Sequence, residues 1–412
     1  MAANAENRRV AILGAGPIGL EAALYARKLC FPVTIYERGQ PGDYVRRWGH
    51  VRLFSPFGMN VTPLGRAALS QANLPADGDC ITGREHVAVY VEPLAKSAAL
   101  SGCLQPETMV LTVGRSGWLK SDGPGDAKRA QAPFRLLVAQ ANKERIDEAD
   151  IVLDCTGTYS WHRWLGNGGI PALGERAVEQ QIAYGLEDIP GARRDHYAGR
   201  SVLLIGSGYS AATAACQLAT LAETASATWV VWLARGLRSQ PLPRLPNDPL
   251  KERDRLAVRA NNLAARGDAN IEFHANSHVR QIESKGGDAG FRVIAACNGK
   301  ERTWDVERII ANVGYSPDGS IYRELQVHEC YASLAPMGVA AALLKQGGGD
   351  CLSYAGVGPA ALKTPEPNFF ILGAKSYGRN SNFLLKSGFE QVRDVFALIT
   401  GKSDLDLYRA AK

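Results

Sequence analysis

Two stretches of the chain carry the same pattern of apolar and polar positions. The first is an apolar run of strand length, Arg9-Val10-Ala11-Ile12-Leu13, which ends in Gly14-Ala15-Gly16-Pro17-Ile18-Gly19. Leu20, Ala23, Leu24 and Arg27 then open a helical pattern, and residues 33–37 read as a second strand. The order strand, glycine turn, helix, strand is a dinucleotide-binding unit. It recurs: residues 201–205 form a strand, Gly206-Ser207-Gly208-Tyr209-Ser210-Ala211 the turn, 212–221 the helix and 228–234 the next strand.

Each unit is followed by a similar tail. Alternating segments at 108–113 and 134–139 precede an apolar run at 150–157, and segments at 271–273 and 291–295 precede another at 307–314. Each tail reads as a β-meander and then a buried strand that returns to the sheet and ends in glycine. The pattern predicts an α/β fold of two Rossmann-like doubly wound domains, one inserted in the other. The first domain covers residues 1–165 and is completed by 306–412; the inserted domain covers 166–305. Loops are expected at 117–133, 240–249 and 345–350. A last helix at 382–399 places Leu385, Phe389, Val392, Phe396 and Ile399 on one face as a core stripe.

Composition narrows the classes. A chain of 412 residues with 46% apolar and 21% charged content has ample material for two or three cored domains. Its formal charge of +6 is modest and its basic residues are scattered, so no nucleic-acid partner is expected. No apolar run reaches the roughly 20 residues of a membrane helix, so no membrane partner is expected either. The polar N-terminus does not read as a signal peptide. Eight cysteines lie far apart with no CxxC and no zinc-like spacing, which suits free thiols in a reducing cytoplasm. His274 and His278 are four apart, but the strand-like residues before them argue against one helical face, and no metal site is expected.

The glycine turns carry the chemistry. Gly14, Gly16 and Gly19 let backbone approach a pyrophosphate at a helix N-terminus, and Glu37, at the end of the second strand, can accept from ribose hydroxyls. In the second unit, Gly206, Gly208 and Ser210 form the turn, but the strand ends in Arg235, with Arg238 close behind. A guanidinium there matches the 2′-phosphate of NADP. The N-terminal unit therefore suits FAD and the inserted unit suits NADPH.

With these residues the chain resembles the two-dinucleotide-binding-domain flavoproteins, a set that includes flavin-containing monooxygenases and thioredoxin-reductase-like enzymes. Residues 149–157, ending in Thr156-Gly157, look like the domain-crossing motif of that set, and the segment from Gly314 looks like its second copy. The segment 370–382, with Gly373, Asn380 and Asn382, looks like the final FAD element of bacillithiol-disulfide-reductase-like members. The resemblance implies that Thr156, Gly157, Gly314, Gly373, Asn380 and Asn382 serve the cofactors. It also implies that the segment after the first unit runs past the flavin, with Trp48 packing on it and Arg47 or His50 facing substrate. The chain departs from the set at three points. Residues 181–186 do not supply the FxGxxxH signature of flavin monooxygenases, no CxxC exists, and Ile18 stands where the bacillithiol-reductase-like members carry a cysteine. Three functions follow. The favoured one is a monooxygenase in which an oxygen adduct at flavin C4a oxygenates a small soft nucleophile. The others are an NADPH-dependent reductase of a low-molecular-weight disulfide and a flavin- or nucleotide-binding regulator without turnover. The substrate is a small molecule in the first two, and a homodimer is left open.

Overall fold

A computed structural model describes residues 7–69, 73–266, 270–346, 352 and 356–410. The chain divides into two units, Met1–Trp161 with Ser316–Lys412 and, between them in sequence, His162–Tyr315. The first stretch supplies β1 (Val10–Leu13), α1 (Pro17–Lys28), β2 (Val33–Tyr36), α2 (Asp43–Arg47), β3 (Leu104–Gln105), β4 (Thr108–Arg115), β5 (Phe134–Gln140), β6 (Lys143–Ala149) and β7 (Ile151–Asp154). The middle stretch supplies β8 (Ser201–Ile205), α3 (Tyr209–Thr224), β9 (Trp229–Leu233), α4 (Lys251–Arg266) and β10 (Ile271–His274). It continues with β11 (Ser277–Ser284), β12 (Phe291–Cys297), β13 (Lys300–Val306) and β14 (Arg308–Ala311). The last stretch adds α5 (Met337–Lys345), β15 (Phe369–Ile371), α6 (Leu385–Thr400) and α7 (Leu407–Ala410).

In the first unit the strands lie in the order β15-β7-β1-β2-β3, and all four pairings are parallel. Successive side chains of a strand point to opposite faces, and here both faces are covered. Val10 and Ile12 pack with residues of α1 and α6, while Ala11 and Leu13 pack with Val113, Phe134 and Leu136 of the antiparallel meander β4-β5-β6. That is why Val-Ala-Ile-Leu reads as a continuous apolar run. The third meander strand, Lys-Glu-Arg-Ile-Asp-Glu-Ala, is mostly exposed and escapes a search for apolar alternation. In α6, Phe389, Val392, Phe396 and Ile399 are buried as the stripe predicts, and Phe396 stacks on Tyr25 of α1 with ring centroids 5.2 Å apart. The helix begins at Leu385 rather than 382: Asn380 Oδ1 instead accepts the backbone N–H of Asn382 at 2.9 Å, closing a turn before it. The expected loop at 117–133 contains a short 3-10 helix, Ala127–Gln131. It is fixed by Glu366, which accepts from Arg115 at 2.9 Å and from Arg129 at 2.7 Å with all three side chains buried.

The second unit repeats the plan. Its sheet runs β10-β9-β8-β14, all parallel. Val202 and Leu204 of β8 pack with α3, and Leu203 and Ile205 pack with Val279, Phe291 and Val293 of the meander β11-β12-β13. Two expectations need correction. Residues 271–273 belong to the parallel edge strand β10, and the meander is built from β11, β12 and β13, two of them largely polar. The inserted unit also extends to Tyr315 rather than 305, because β14 pairs with β8 from Arg308↔Val202 to Ala311↔Ile205. Of the expected loop at 345–350, Lys345 closes α5 and residues 347–350 lie outside the described residues. Among the described residues no helix is long and apolar enough to cross a membrane.

Candidate functional site

Both glycine turns stand at the C-terminal ends of the first parallel strands, where open α/β sheets bind ligands. At the first, Gly14 has φ +97°, and a Cβ there would lie 2.9 Å from the carbonyl oxygen of Cys155, which follows β7. A Cβ on Gly19 would meet the carbonyl oxygen of Gly14 at 1.9 Å. The fold itself demands these two glycines. Gly16 is different, since a Cβ there would meet no protein atom within 4 Å. The turn is open on that side. Behind it α1 starts with Pro17 and without a side-chain cap, so its first-turn amides are available to an anion.

Glu37 closes the turn from the other side. Its Oε2 accepts the N–H of Ala15 at 2.7 Å and its Oε1 accepts that of Gly39 at 2.8 Å. A carboxylate has about four acceptor positions, so bracing the turn leaves lone pairs for ribose hydroxyls. Thr156 and Gly157 follow β7 directly, and Gly373 follows β15, its neighbour in the sheet. A Cβ at Gly373 would touch Ile18 of α1 at 3.3 Å, which brings the 373 segment to the first glycine turn. Gln391 of α6 pins that segment: it accepts from Gly373 N at 2.9 Å and donates to Ser376 Oγ at 2.8 Å. Asn380 and Asn382 come next, and Phe383 and Ile18 both reach the point where a Cβ on Gly388 would stand.

A charged core under this site escaped sequence reasoning. Lys375 Nζ donates to Asp154 Oδ2 at 2.6 Å and to Thr156 Oγ1 at 2.9 Å, and both charged side chains are fully buried. Thr156 Oγ1 in turn donates to Asp154 Oδ1 at 2.6 Å. The available signal was a lone charge at the end of each of two apolar runs, Ile-Val-Leu-Asp and Phe-Phe-Ile-Leu-Gly-Ala-Lys, because a buried charge requires a partner.

The segment proposed to face substrate is tied to the turn by Gly42, whose N–H donates to Ala15 O at 3.1 Å just before α2. Arg47 is exposed, donates to Asp43 at 2.9 Å, and stands over the Tyr44 ring at 4.7 Å. Trp48 packs against Gly83, where a Cβ would come within 2.6 Å of the indole. Its Nε1 is buried and has no acceptor among the described residues. His50 is partly buried two residues on.

The second turn repeats the first. Gly206 has φ +137°, and a Cβ there would lie 2.4 Å from the carbonyl oxygen of Asn312, which follows β14. Gly208 again meets nothing within 4 Å, and the third small residue is the fully buried Ala211. Trp232 Nε1 donates to the Gly206 carbonyl at 2.8 Å and fixes the turn from β9. Ser210 sits in the first turn of α3. Arg235 and Arg238 follow β9, exposed and without an ion-pair partner among the described residues. Gly314 accepts from the N–H of Arg163 at 3.0 Å. His274 and His278 lie on β10 and β11, not on a helix, and His274 pairs with Glu272 at 2.6 Å.

No protein-family model and no curated protein sequence matches the chain. Solved structures do. Bacillithiol disulfide reductase Bdr (YpdA) from Bacillus cereus superposes with a TM-score of 0.69 at 19% identity, over 96% of this chain and 99% of that one. The cadaverine monooxygenase DfoA from Erwinia amylovora, bound to FAD, gives 0.65 at 13% identity over 95% and 94%. The ornithine N-hydroxylase KtzI from Kutzneria sp. 744, with reduced FAD, NADP+ and L-ornithine, gives 0.61 at 14% over 97% and 100%. The chain therefore shares its fold with a disulfide reductase and with two monooxygenases.

Proposed function

We propose that the chain is an FAD-dependent oxidoreductase that takes a hydride from NADPH and, as a monooxygenase, transfers oxygen from O2 to a small soft nucleophile. The observation that carries the reading is the pair of matched turns. In each, the fold requires the first glycine and buries the third small residue, while the second glycine faces open space. One turn is flanked by a carboxylate and the other by an arginine without an ion-pair partner among the described residues, the two chemistries that suit a ribose and a 2′-phosphate. FAD belongs to the first unit, on Gly14, Gly16, Gly19, Glu37, Thr156, Gly157, Gly373, Asn380 and Asn382. NADPH belongs to the second, on Gly206, Gly208, Ser210, Arg235 and Gly314.

When bound, FAD supplies the ring that accepts hydride and reacts with O2. The chain's own contributions are positioning and charge. The first-turn amides of α1 oppose a pyrophosphate, and Glu37 holds a ribose while it braces the turn. The Lys375 ammonium, locked to Asp154, fixes Thr156 Oγ1 and with it the backbone beside Gly157. Two features favour oxygen over a disulfide as acceptor. Ile18 puts an apolar side chain on the first turn of α1, and the neighbouring Cys155 thiol is pushed far up by burial, away from the reactive thiolate. By description DfoA is a cadaverine monooxygenase and KtzI an ornithine N-hydroxylase; cadaverine and ornithine are amines, and an amine fits the proposed substrate class.

The test is rapid mixing of NADPH-reduced, FAD-loaded protein with O2. The expected result is a transient absorbance that matches neither oxidised nor reduced flavin. Slow, featureless reoxidation by O2 together with fast reoxidation by a low-molecular-weight disulfide would replace the monooxygenase with a reductase. Protein that retains no FAD would overturn the cofactor assignment itself.

A further inference from the structure

On the NADPH reading above, the second unit gives the dinucleotide a direction. Arg235 follows β9, which lies on one side of β8, and β14 lies on the other. A 2′-phosphate at Arg235 sets the adenosine half over the end of β9 and the pyrophosphate over the glycine turn that follows β8. The nicotinamide half must then run toward the end of β14.

Asn312 stands there. Its backbone N–H donates to Ile205 O at 2.8 Å, and its carbonyl oxygen is the atom that forbids a Cβ on Gly206, so it borders the turn directly. Its side-chain Nδ2 donates to the carbonyl of Gly185 at 2.9 Å. Because Gly185 presents only an acceptor there, the amide orientation is fixed by chemistry: nitrogen faces Gly185 and Oδ1 faces away. Oδ1 is buried and finds no donor among the described residues.

The surroundings make this orphan specific, because the adjoining polar groups are paired. Tyr315 OH donates to Tyr184 O at 2.9 Å, and Tyr184 OH donates to Glu175 at 2.8 Å. The His162 ring stacks on Tyr184 with centroids 3.5 Å apart and bonds Glu179 through Nε2 at 3.0 Å. A buried acceptor left without a donor is costly, and cores that satisfy their other polar groups rarely keep one without a use.

We propose that Asn312 is a positioning residue for the nicotinamide half of the dinucleotide, with Oδ1 accepting a hydrogen bond from a hydroxyl or amide donor on that half. Two groups there can donate, the ribose hydroxyls and the carboxamide nitrogen. Tyr184 and Gly185, held by Tyr315 and by Asn312 itself, keep the amide in the required orientation.

Equilibrium binding to the FAD-loaded protein tests this with two probes: NADP+, and adenosine 2′,5′-bisphosphate, which lacks the nicotinamide half. Arg235→Ala weakens both. Asn312→Ala weakens NADP+ by about 10-fold, the scale of one hydrogen bond, and leaves the bisphosphate unchanged, which also reports that the unit is folded. Nicotinic acid adenine dinucleotide phosphate, whose carboxylate cannot donate, separates the donors. A further loss with this probe in Asn312→Ala assigns the ribose; weak binding to the unmodified protein with no further loss assigns the carboxamide. If Asn312→Ala loses both original probes and melts early, Asn312→Ser reads the same difference. Equal affinities of normal and variant protein for NADP+, or equal losses of both probes in a variant with normal melting, overturn the inference and spare the NADPH reading. Failure of the unmodified protein to bind either probe overturns the NADPH reading instead.

Discussion

At the scale of single residues, the glycines of each turn divide into those the fold needs and those that face open space, and substitution tests whether the open ones serve a ligand. Gly206→Ala places a Cβ 2.4 Å from a backbone carbonyl at φ +137°, so it should cost several kcal/mol and unfold or loosen the second unit. Gly16→Ala meets no atom within 4 Å at an ordinary φ of −76°. That variant should melt within about 1 °C of the parent when cofactor-free, since an unstrained surface change alters stability by about 0.5 kcal/mol or less, yet retain little FAD after gel filtration. Equal FAD content in Gly16→Ala and parent would show that no pyrophosphate lies against this turn. Arg235→Ala makes a matching statement in the other unit. Losing a charge-assisted contact costs roughly 1.5–3 kcal/mol, or about 10- to 150-fold in affinity, and the loss should fall on NADPH and spare NADH in flavin-reduction kinetics.

At the scale of elements, one contact of α6 with α1 leaves no room for a side chain at Gly388. A Cβ on Gly388 would lie 2.4 Å from Ile18 Cδ1 and 2.9 Å from the Phe383 ring. Gly388→Ala should therefore overpack the contact by about 1–3 kcal/mol and push Ile18 toward Gly373 and the glycine turn. Ile18→Ala in the same chain should restore both melting temperature and FAD retention, and a strictly additive double variant would show that the two residues do not share the contact. The same elements mark what a sequence discloses. β1, β7, β8 and β14 were legible because a parallel strand covered on both faces is apolar without interruption. β6 and β13 were not, because an exposed meander strand is specified by its partners rather than by its own composition, and β11 was not, because a register shift between Val279 and Gln281 breaks its alternation. Residues 271–273 were misplaced for a related reason: a short edge strand of a parallel sheet and a meander strand present the same few apolar residues. The places of Glu37 and Arg235, each just past a strand, could be read because the apolar run before each marks where its strand ends. The Lys375–Asp154 pair joins residues far apart in sequence and could be seen only in three dimensions.

At the scale of the whole molecule, stability against pH is shaped by two buried groups in the first unit that act in opposite directions. Glu21 of α1 is fully buried, accepts from Thr62 Oγ1 at 2.9 Å and faces Tyr90 and Tyr408, and burial pushes its carboxyl up to about 7. Its folded value lies above its ordinary 4.5, so its favourable contribution is complete below about 4.5 and is lost as pH rises toward 7. His86 is buried with Nε2 3.1 Å from the Asn60 carbonyl, and burial lowers it to about 4 from 6.5. Its contribution is complete above about 6.5 and is lost as pH falls toward 4. Each shift corresponds to about 3 kcal/mol over its window, and between pH 4.5 and 6.5 the two slopes cancel. The parent protein should therefore show little dependence on this pair in that range, and removing one member should expose the other. Glu21→Gln should melt increasingly above the parent as pH rises from 5 to 7 and hold that difference beyond it, whatever constant offset the new amide brings, because only the ionisable group supplies a slope. It should also gain a steeper decline below pH 6.5, where His86 now acts alone. Melting curves of the two proteins across that range decide it: a difference that stays constant with pH would mean that Glu21 ionises freely in the folded chain and that its burial is not felt as charge.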